Sequence, residues 1–247
     1  MKAMVLAAGL GTRLQPLTND RPKALVEVAG RTLLEITLAR LREFGITEVI
    51  VNAHHFAAKL CDYLKANANF GMRIELSRED LLLDTGGGLK KAAWFFLENL
   101  GTREQPFILH NVDVISDIDL SRMLEVHTAA NALVTLAVQQ RKSSRYLLFD
   151  EQLQLSGRRI GDAHDSDERA LSSGKLQALA FSGIHVVSPR IFGKMTEEGV
   201  FSIIDCYLRL AATGEKILAF RADEYSWRDL GKSEDLRKAE QEFHPGV

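Results

Sequence analysis

Cysteine is nearly absent from this chain of 247 residues: there are two, Cys61 and Cys206. They lie far apart, without the close spacing of metal ligands, among apolar helix-patterned neighbours, and they read as buried thiols in a reducing compartment. No apolar stretch approaches membrane-spanning length. The N-terminus has one lysine and a short apolar run that goes straight into a functional-looking loop, which does not fit a signal peptide. Charge of either sign is not in excess, with a formal net of −2, and this argues against the basic patches of nucleic-acid or anionic-membrane surfaces. Repeats, linkers and low-complexity segments are missing. The expectation is a cytoplasmic protein with neither nucleic acid nor membrane as a partner. Its 46% hydrophobic and 26% charged residues are those of an ordinary globular chain. The length allows one large α/β domain or two small ones, and is ample for a continuous core.

The most informative stretch is Leu6-Ala7-Ala8-Gly9-Leu10-Gly11-Thr12-Arg13-Leu14-Gln15-Pro16-Leu17-Thr18, followed by Arg21-Pro22-Lys23. An apolar run, Met4 to Ala8, empties into a glycine-rich turn. Glycine lets a backbone approach phosphate closely and aim N–H groups at it; Arg13 and Lys23 can supply counter-charge. Two other phosphate loops fit less well. A Walker A loop needs Gly-Lys-Ser/Thr after its spacer, which is missing here. A dinucleotide loop needs a third glycine where Leu14 stands, and an acidic residue ending a second strand, whereas Glu35 falls inside a predicted helix. A plain glycine turn remains the simplest alternative.

Strand-like and helix-like segments alternate. Strands are predicted at Met4–Ala8, Thr47–Asn52, Met72–Ser77, Pro106–Val112 and Ala132–Val138. Helices are predicted from the capping box Thr32-Leu33-Leu34-Glu35 to Gly45, at Phe56–Ala66, at Leu89–Leu100 after the glycine turn Asp84–Gly88, and at Ser121–Ala130. This rhythm implies a mainly parallel sheet with helices on both faces. Beyond Val138 a hairpin (Arg145–Phe149, Leu153–Leu155), a polar loop (Ser156–Lys175), a long strand interrupted by Gly183, a helix at Ser202–Ala212, a strand at Lys216–Phe220, an edge segment Tyr225–Gly231 and a last helix capped by Ser233 are expected. The whole reads as one domain over 1–247, with a nucleotide-binding half of about 1–138 and a half of about 139–247 that completes the cleft.

In an open α/β sheet, ligands bind beyond the carboxyl ends of the strands. The Gly9–Arg13 loop, the Thr85–Gly88 loop and Asp113 fall there. A carboxylate facing phosphates is repulsive unless a cation intervenes, and Mg²⁺ is suited to one or two carboxylates plus phosphates and water. A strand-end turn or helix cap is the structural alternative for Asp113. His54-His55 reads as an ordinary loop pair, since neighbours in an extended segment face opposite ways. Trp94, Phe95 and Phe96 read as helix–sheet core.

The chain resembles the sugar-1-phosphate nucleotidyltransferases, in Gly9–Thr18, Pro22-Lys23, Asp84–Gly88, Asn111-Val112-Asp113, Phe181–Ile184 and Trp227-Arg228-Asp229-Leu230-Gly231, in that order along nearly its full length. The resemblance implies a three-layer αβα fold of the nucleotide-diphospho-sugar transferase type, with a mixed, mainly parallel sheet. It implies Mg²⁺-dependent transfer of a nucleotidyl group from an NTP to a sugar 1-phosphate by in-line attack, with release of pyrophosphate. Arg13 would hold the departing pyrophosphate and Lys23 the reacting phosphates. Ala7, Ala8, Gly9, Gly11, Thr12, Thr85, Gly86 and Gly87 would bind the nucleotide, and Asn111 and Gly183 the sugar. Asp113 and Asp229 would hold the metal. The pattern is closest to short uridylyltransferases of N-acetylmuramate 1-phosphate, which implies a cell-envelope role, and next to the mannose- and heptose-1-phosphate guanylyltransferases. A non-catalytic nucleotide-sugar sensor on the same fold is the alternative from another class. The oligomeric state stays open between monomer and homodimer. Leu81-Leu82 replaces a Glu-Pro pair near where the base is read, and a Glu-Lys-Pro grip on the sugar phosphate is missing. Arg158, Arg159 or Lys175 stand as substitutes for that grip, or as solvated surface.

Overall fold

The computed structural model describes residues 1–98, 105–161, 167–170 and 174–242. The chain opens on β1 (Lys2–Leu6), whose Ala3, Met4 and Val5 are buried, as a strand covered on both faces requires. The glycine loop follows, then a short hairpin of β2 (Glu27–Val28) and β3 (Arg31–Thr32). Helix α1 (Leu33–Glu43) starts where Thr32 Oγ1 accepts the Glu35 N–H at 3.0 Å. Only half of the expected capping box forms, because the Glu35 carboxylate accepts from Arg31 Nε at 2.9 Å instead. The helix ends at Gly45, φ 71°, with the Gly45 N–H on the Arg42 carbonyl and the Ile46 N–H on the Leu41 carbonyl, a Schellman ending.

Next come β4 (Glu48–Ala53), α2 (Ala57–Ala66), β5 (Arg73–Arg78), α3 (Asp84–Lys91), α4 (Ala93–Leu97), β6 (Phe107–Asn111), β7 (Val114–Ser116) and α5 (Leu120–Ala129). The chain continues through β8 (Val134–Gln139), β9 (Arg145–Phe149), β10 (Leu155–Ile160), β11 (Asp167–Ala170) and β12 (Gln177–Val187). It closes with α6 (Ile203–Ala212), β13 (Ile217–Arg221), β14 (Trp227–Asp229) and α7 (Ser233–Glu242).

The main sheet runs β11-β10-β9-β12-β6-β1-β4-β5, with β8 against β12 and β13 against β8. Strands β6, β1, β4 and β5 are mutually parallel. Strand β12 joins them antiparallel: Ile184–Val187 pair with β6, and Gln177–Leu179 pair with β9. Its register against β8 slips between Phe181 and His185, where Gly183 adopts φ 77°. Side chains alternate along β1, so Ala3 and Val5 face a core built on Leu34, Leu38 and Leu41 of α1, while Met4 faces Phe95, Phe107 and Tyr207. The result is a mixed sheet between two helical layers.

Three expectations are corrected. The glycine turn Asp84–Gly88 is the opening of α3, and the single helix expected at Leu89–Leu100 is two helices broken at Ala92, with residues 99–100 outside the described part. The polar stretch expected as a loop at Ser156–Lys175 contains β10 and β11; residues 162–166 and 171–173 lie outside the described part. Phe95 and Phe96 are core, but Trp94 is 50% exposed.

His110, His127 and His185 are buried. Burial pushes them down to about 4, about 4 and about 3. A base depressed in the folded state binds fewer protons there than in the unfolded chain, so its contribution is whole above about 6.5 and is lost as pH falls. Urea unfolding is expected to show lower stability near pH 5 than near pH 7, on the order of 1–2 kcal/mol per histidine. Equal stability at the two pH values would contradict this.

Candidate active site

Parallel pairing brings strand ends together. Leu6 of β1 lies opposite Asn52 of β4 and Asn111 of β6. Beyond those ends lies a cavity of about 370 Å³, lined by Ala7, Ala8, Gly9, Lys23, Asn52, Thr85, Asn111 and Asp113, with Leu82 and Val200 as its apolar wall. This is where an open α/β sheet binds ligands.

The first loop divides its amides. The N–H groups of Ala7 and Ala8 donate to Asn52 Oδ1 at 2.7 and 3.3 Å. Both residues line the cavity, with their amides turned inward. From Gly9 to Arg13, including Thr12, no main-chain N–H has a partner among the described residues, which leaves a run of donors suited to an anion. Gly11 sits at φ 67°, and a Cβ there would come within 2.8 Å of Thr18 Cγ2. Thr18 Oγ1 donates to the Gly11 carbonyl at 2.9 Å and pins the turn.

Asn52 extends this bracing. Its Nδ2 donates to Glu79 Oε1 at 2.8 Å, and Glu79 Oε2 accepts the Leu83 N–H at 3.0 Å. Both side chains are 3% exposed. One buried relay therefore ties the end of β1 to the segment that enters α3. Sequence reasoning missed this pair; the one available signal was a polar residue, Asn52, ending a strand of apolar type. His54 Nδ1 meets the Glu79 carbonyl at 2.8 Å, and among the described residues no group of three or more His, Cys, Asp or Glu forms around it.

The second glycine loop forms the first turns of α3. Thr85 lines the cavity and its Oγ1 accepts the Ile203 N–H at 3.0 Å. The Gly86 and Gly87 N–H groups point to the Phe201 carbonyl, at 3.0 and 3.4 Å, rather than to the cavity. A Cβ on Gly86 would run into the Phe201 ring, and one on Gly87 into the Gly199 carbonyl. These glycines let α3 pack closely against residues 199–201.

The two aspartates converge. Strand β14 pairs antiparallel with β7, setting Asp229 opposite Val114, and the Leu230 N–H donates to the Asp113 carbonyl at 2.8 Å. Lys23 Nζ forms an ion pair with Asp113 Oδ2, the two side chains being 11% and 16% exposed. Burial raises the Asp229 carboxyl above the usual carboxylate value, and the charge of Asp113 adds to it. The Gly231 N–H, at 2.7 Å from Asp229 Oδ1, and the cations Lys23 and Arg13 act the other way. A Cβ on Gly231 would lie 2.6 Å from Asp229 Oδ1 and 2.7 Å from Arg13 Nη2. Arg13, Lys23, Asp113 and Asp229 thus meet in one place. Gly183 lies beside Asn111, whose Nδ2 is 2.9 Å from where a Cβ would stand. Arg158 is directed elsewhere, paired with Asp205 of α6.

Comparison with known proteins shows the family. The family profile described as nucleotidyl transferase matches residues 2–245. The chain belongs to the nucleotidyl transferase family. It is similar to the N-acetylmuramate alpha-1-phosphate uridylyltransferase of Caulobacter vibrioides, 35% identical over 96% of this chain and 95% of that one. It is also similar to the D-glycero-alpha-D-manno-heptose 1-phosphate guanylyltransferase of Aneurinibacillus thermoaerophilus, 27% identical over 98% of each chain. Its fold matches the crystal structure of a UDP-glucose pyrophosphorylase from Acinetobacter baumannii with a TM-score of 0.78, at 20% identity, over all of this chain and 95% of that one. Among the described residues no helix is long and apolar enough to cross a membrane.

For this nucleotidyl transferase fold, Asn52→Leu strands the Ala7 N–H and Glu79 Oε1. Each buried unsatisfied group costs about 1–3 kcal/mol, so a loss of about 2 kcal/mol or more is expected in urea unfolding. A loss below about 0.5 kcal/mol, the range of a neutral surface change, would refute the bracing role.

Proposed function

We propose that the protein transfers a nucleotidyl group from an NTP to a sugar 1-phosphate, by in-line attack on the α-phosphorus with release of pyrophosphate. The observation that carries this reading is the meeting of two carboxylates and two cations beside a run of unpartnered amides. Both reactants are anions, so bringing them together is the main obstacle. Positioning and electrostatic stabilisation meet it, and no covalent protein intermediate is needed. The Gly9–Arg13 amides cradle the triphosphate. Arg13 stabilises charge on the leaving pyrophosphate, and Lys23 steadies the α-phosphate from its place beside Asp113. Asn111 and Gly183 border the sugar, and the missing side chain at 183 lets the Asn111 amide pack against that backbone.

The donor set fits Mg²⁺. Two carboxylates on one side of a cavity, that of Asp229 raised by burial and by the charge of Asp113, suit a hard divalent cation that takes its remaining ligands from phosphates and water. Among the described residues no cluster of three or more His, Cys, Asp or Glu offers a denser metal site. Asp113 and Asp229 would hold the ion, which supplies charge neutralisation between carboxylates and phosphates.

Uridylyl transfer to an amino-sugar 1-phosphate is the favoured substrate pairing, on the strength of the 35% identity to the Caulobacter enzyme over nearly the whole of both chains. Guanylyl transfer to mannose or heptose 1-phosphate is the second reading, on similarity to the heptose enzyme. A pyrophosphate-release panel crossing UTP, GTP, CTP, dTTP and ATP with these sugar phosphates decides between them, and silence across the panel favours a sensor. Arg13→Ala and Lys23→Ala are expected to fold normally and lose about 10²–10³ in rate, roughly 2.7–4 kcal/mol of transition-state stabilisation each. Asp113→Asn and Asp229→Asn are expected to abolish the Mg²⁺-dependent rise in melting temperature with NTP as well as turnover. Full activity in both asparagine variants would overturn the metal assignment.

A further inference from the structure

After Val138 several basic residues are spent on ion pairs: Arg158 with Asp205, Lys194 with Glu215, Arg209 with Glu197, Arg221 with Asp223. Arg141, just past the end of β8, differs. It has no carboxylate partner among the described residues, and its Nε is buried without any hydrogen bond. Its guanidinium carbon stands 3.7 Å from the centre of the Trp227 ring. Its Nη2 donates to the Phe181 carbonyl at 2.7 Å. The Trp227 ring is itself fixed, because its Nε1 donates to the Ser182 carbonyl at 2.7 Å. Residues 227 and 229 are two apart on β14, so Trp227 and Asp229 share a face. The stacked guanidinium therefore sits on the Asp229 side of that strand, against the Phe181–Gly183 segment.

Burial disfavours the Arg141 charge, and the nearby Asp229 carboxylate only partly offsets this without forming an ion pair. An arriving anion removes that cost, and a planar guanidinium matches phosphate with two parallel hydrogen bonds. Stacking on an aromatic ring fixes the fork in advance, so little side-chain freedom is lost on binding.

We propose that Arg141 is the cation that grips the phosphate of the sugar 1-phosphate, its guanidinium oriented by the Trp227 ring and the Phe181 carbonyl. This rests on the transfer reaction of the preceding subsection, and it supplies the grip for which the chain has no Glu-Lys-Pro signature. Arg141 is a binding residue for the acceptor; the NTP is held by other elements.

The test uses the full chain. Arg141→Gln is expected to raise KM for the sugar phosphate by about 10–100-fold, the range of one or two hydrogen bonds to a charged group, and to leave KM for the NTP within about twofold. Arg141→Lys, which keeps the charge without the fork, is expected to recover part of that loss. A second readout needs no turnover. The chain has two tryptophans, Trp94 and Trp227, so in a Trp94→Phe background Trp227 alone reports on its neighbour. Titration with N-acetylmuramate 1-phosphate is expected to change its emission saturably, and Arg141→Gln to abolish the change. A wild type that shows the emission change but transfers nothing would refute the transfer reading and leave Arg141 standing. A wild type that transfers, with an Arg141→Gln variant of unchanged sugar-phosphate KM, would refute Arg141 and leave the transfer standing. Lower melting temperature with both KM values unchanged makes Arg141 a structural cation and also overturns the proposal.

Discussion

Two carboxylates share one end of the cleft, and their repulsion is the constraint around which the rest is arranged. Burial and the neighbouring Asp113 both raise the Asp229 carboxyl, so the protein holds a second like charge where its ionised form is disfavoured. It keeps them there with the backbone: β14 pairs with β7, and the Leu230 N–H bonds the Asp113 carbonyl. Lys23 and Arg13 offset the charge, and Gly231 admits Arg13 by lacking a side chain. The arrangement is dense in charge yet balanced, two negative against two positive. Such a site suits the reaction proposed above, which brings a polyanion and a cation together.

The wall facing the carboxylates depends on packing more than on charge. Asn52 and Glu79 bind the two ligand-facing segments into one piece, so displacing either is felt by the other. Gly86 and Gly87 belong to the same economy of space: they bring α3 against residues 199–201, and Thr85 is presented to the cavity as a consequence. Preorganisation of this kind is what electrostatic catalysis needs, because donors that must rearrange during reaction stabilise less.

Part of the arrangement was legible in the residues: the Gly9–Arg13 loop and Asp113 were expected beyond the carboxyl ends of strands, and they lie just past β1 and β6. Thr32 announced α1 and Gly45 ended it. The misreadings have local causes. Glycines lower helix propensity, so Asp84–Gly88 read as a turn, and only contact with Phe201 and Gly199 repaid their use in a helix. The charges of Ser156–Lys175 read as loop, yet β10 finds partners on both sides in β9 and β11. Arg141 drew no attention because its role depends on a tryptophan far along the chain.

What the sequence settled alone was local: the alternation of strand and helix, the caps, the turn that only glycine permits, and the residue types able to meet phosphate and metal. Those follow from backbone sterics and side-chain chemistry, which act over a few neighbouring residues. The convergence of Asp113 with Asp229, the relay from Ala7 through Asn52 to Leu83, and the stacking of Arg141 on Trp227 were decided by the fold. They join segments far apart in the chain. The free energy of those contacts exists only once the sheet has closed and water has left the spaces between its layers.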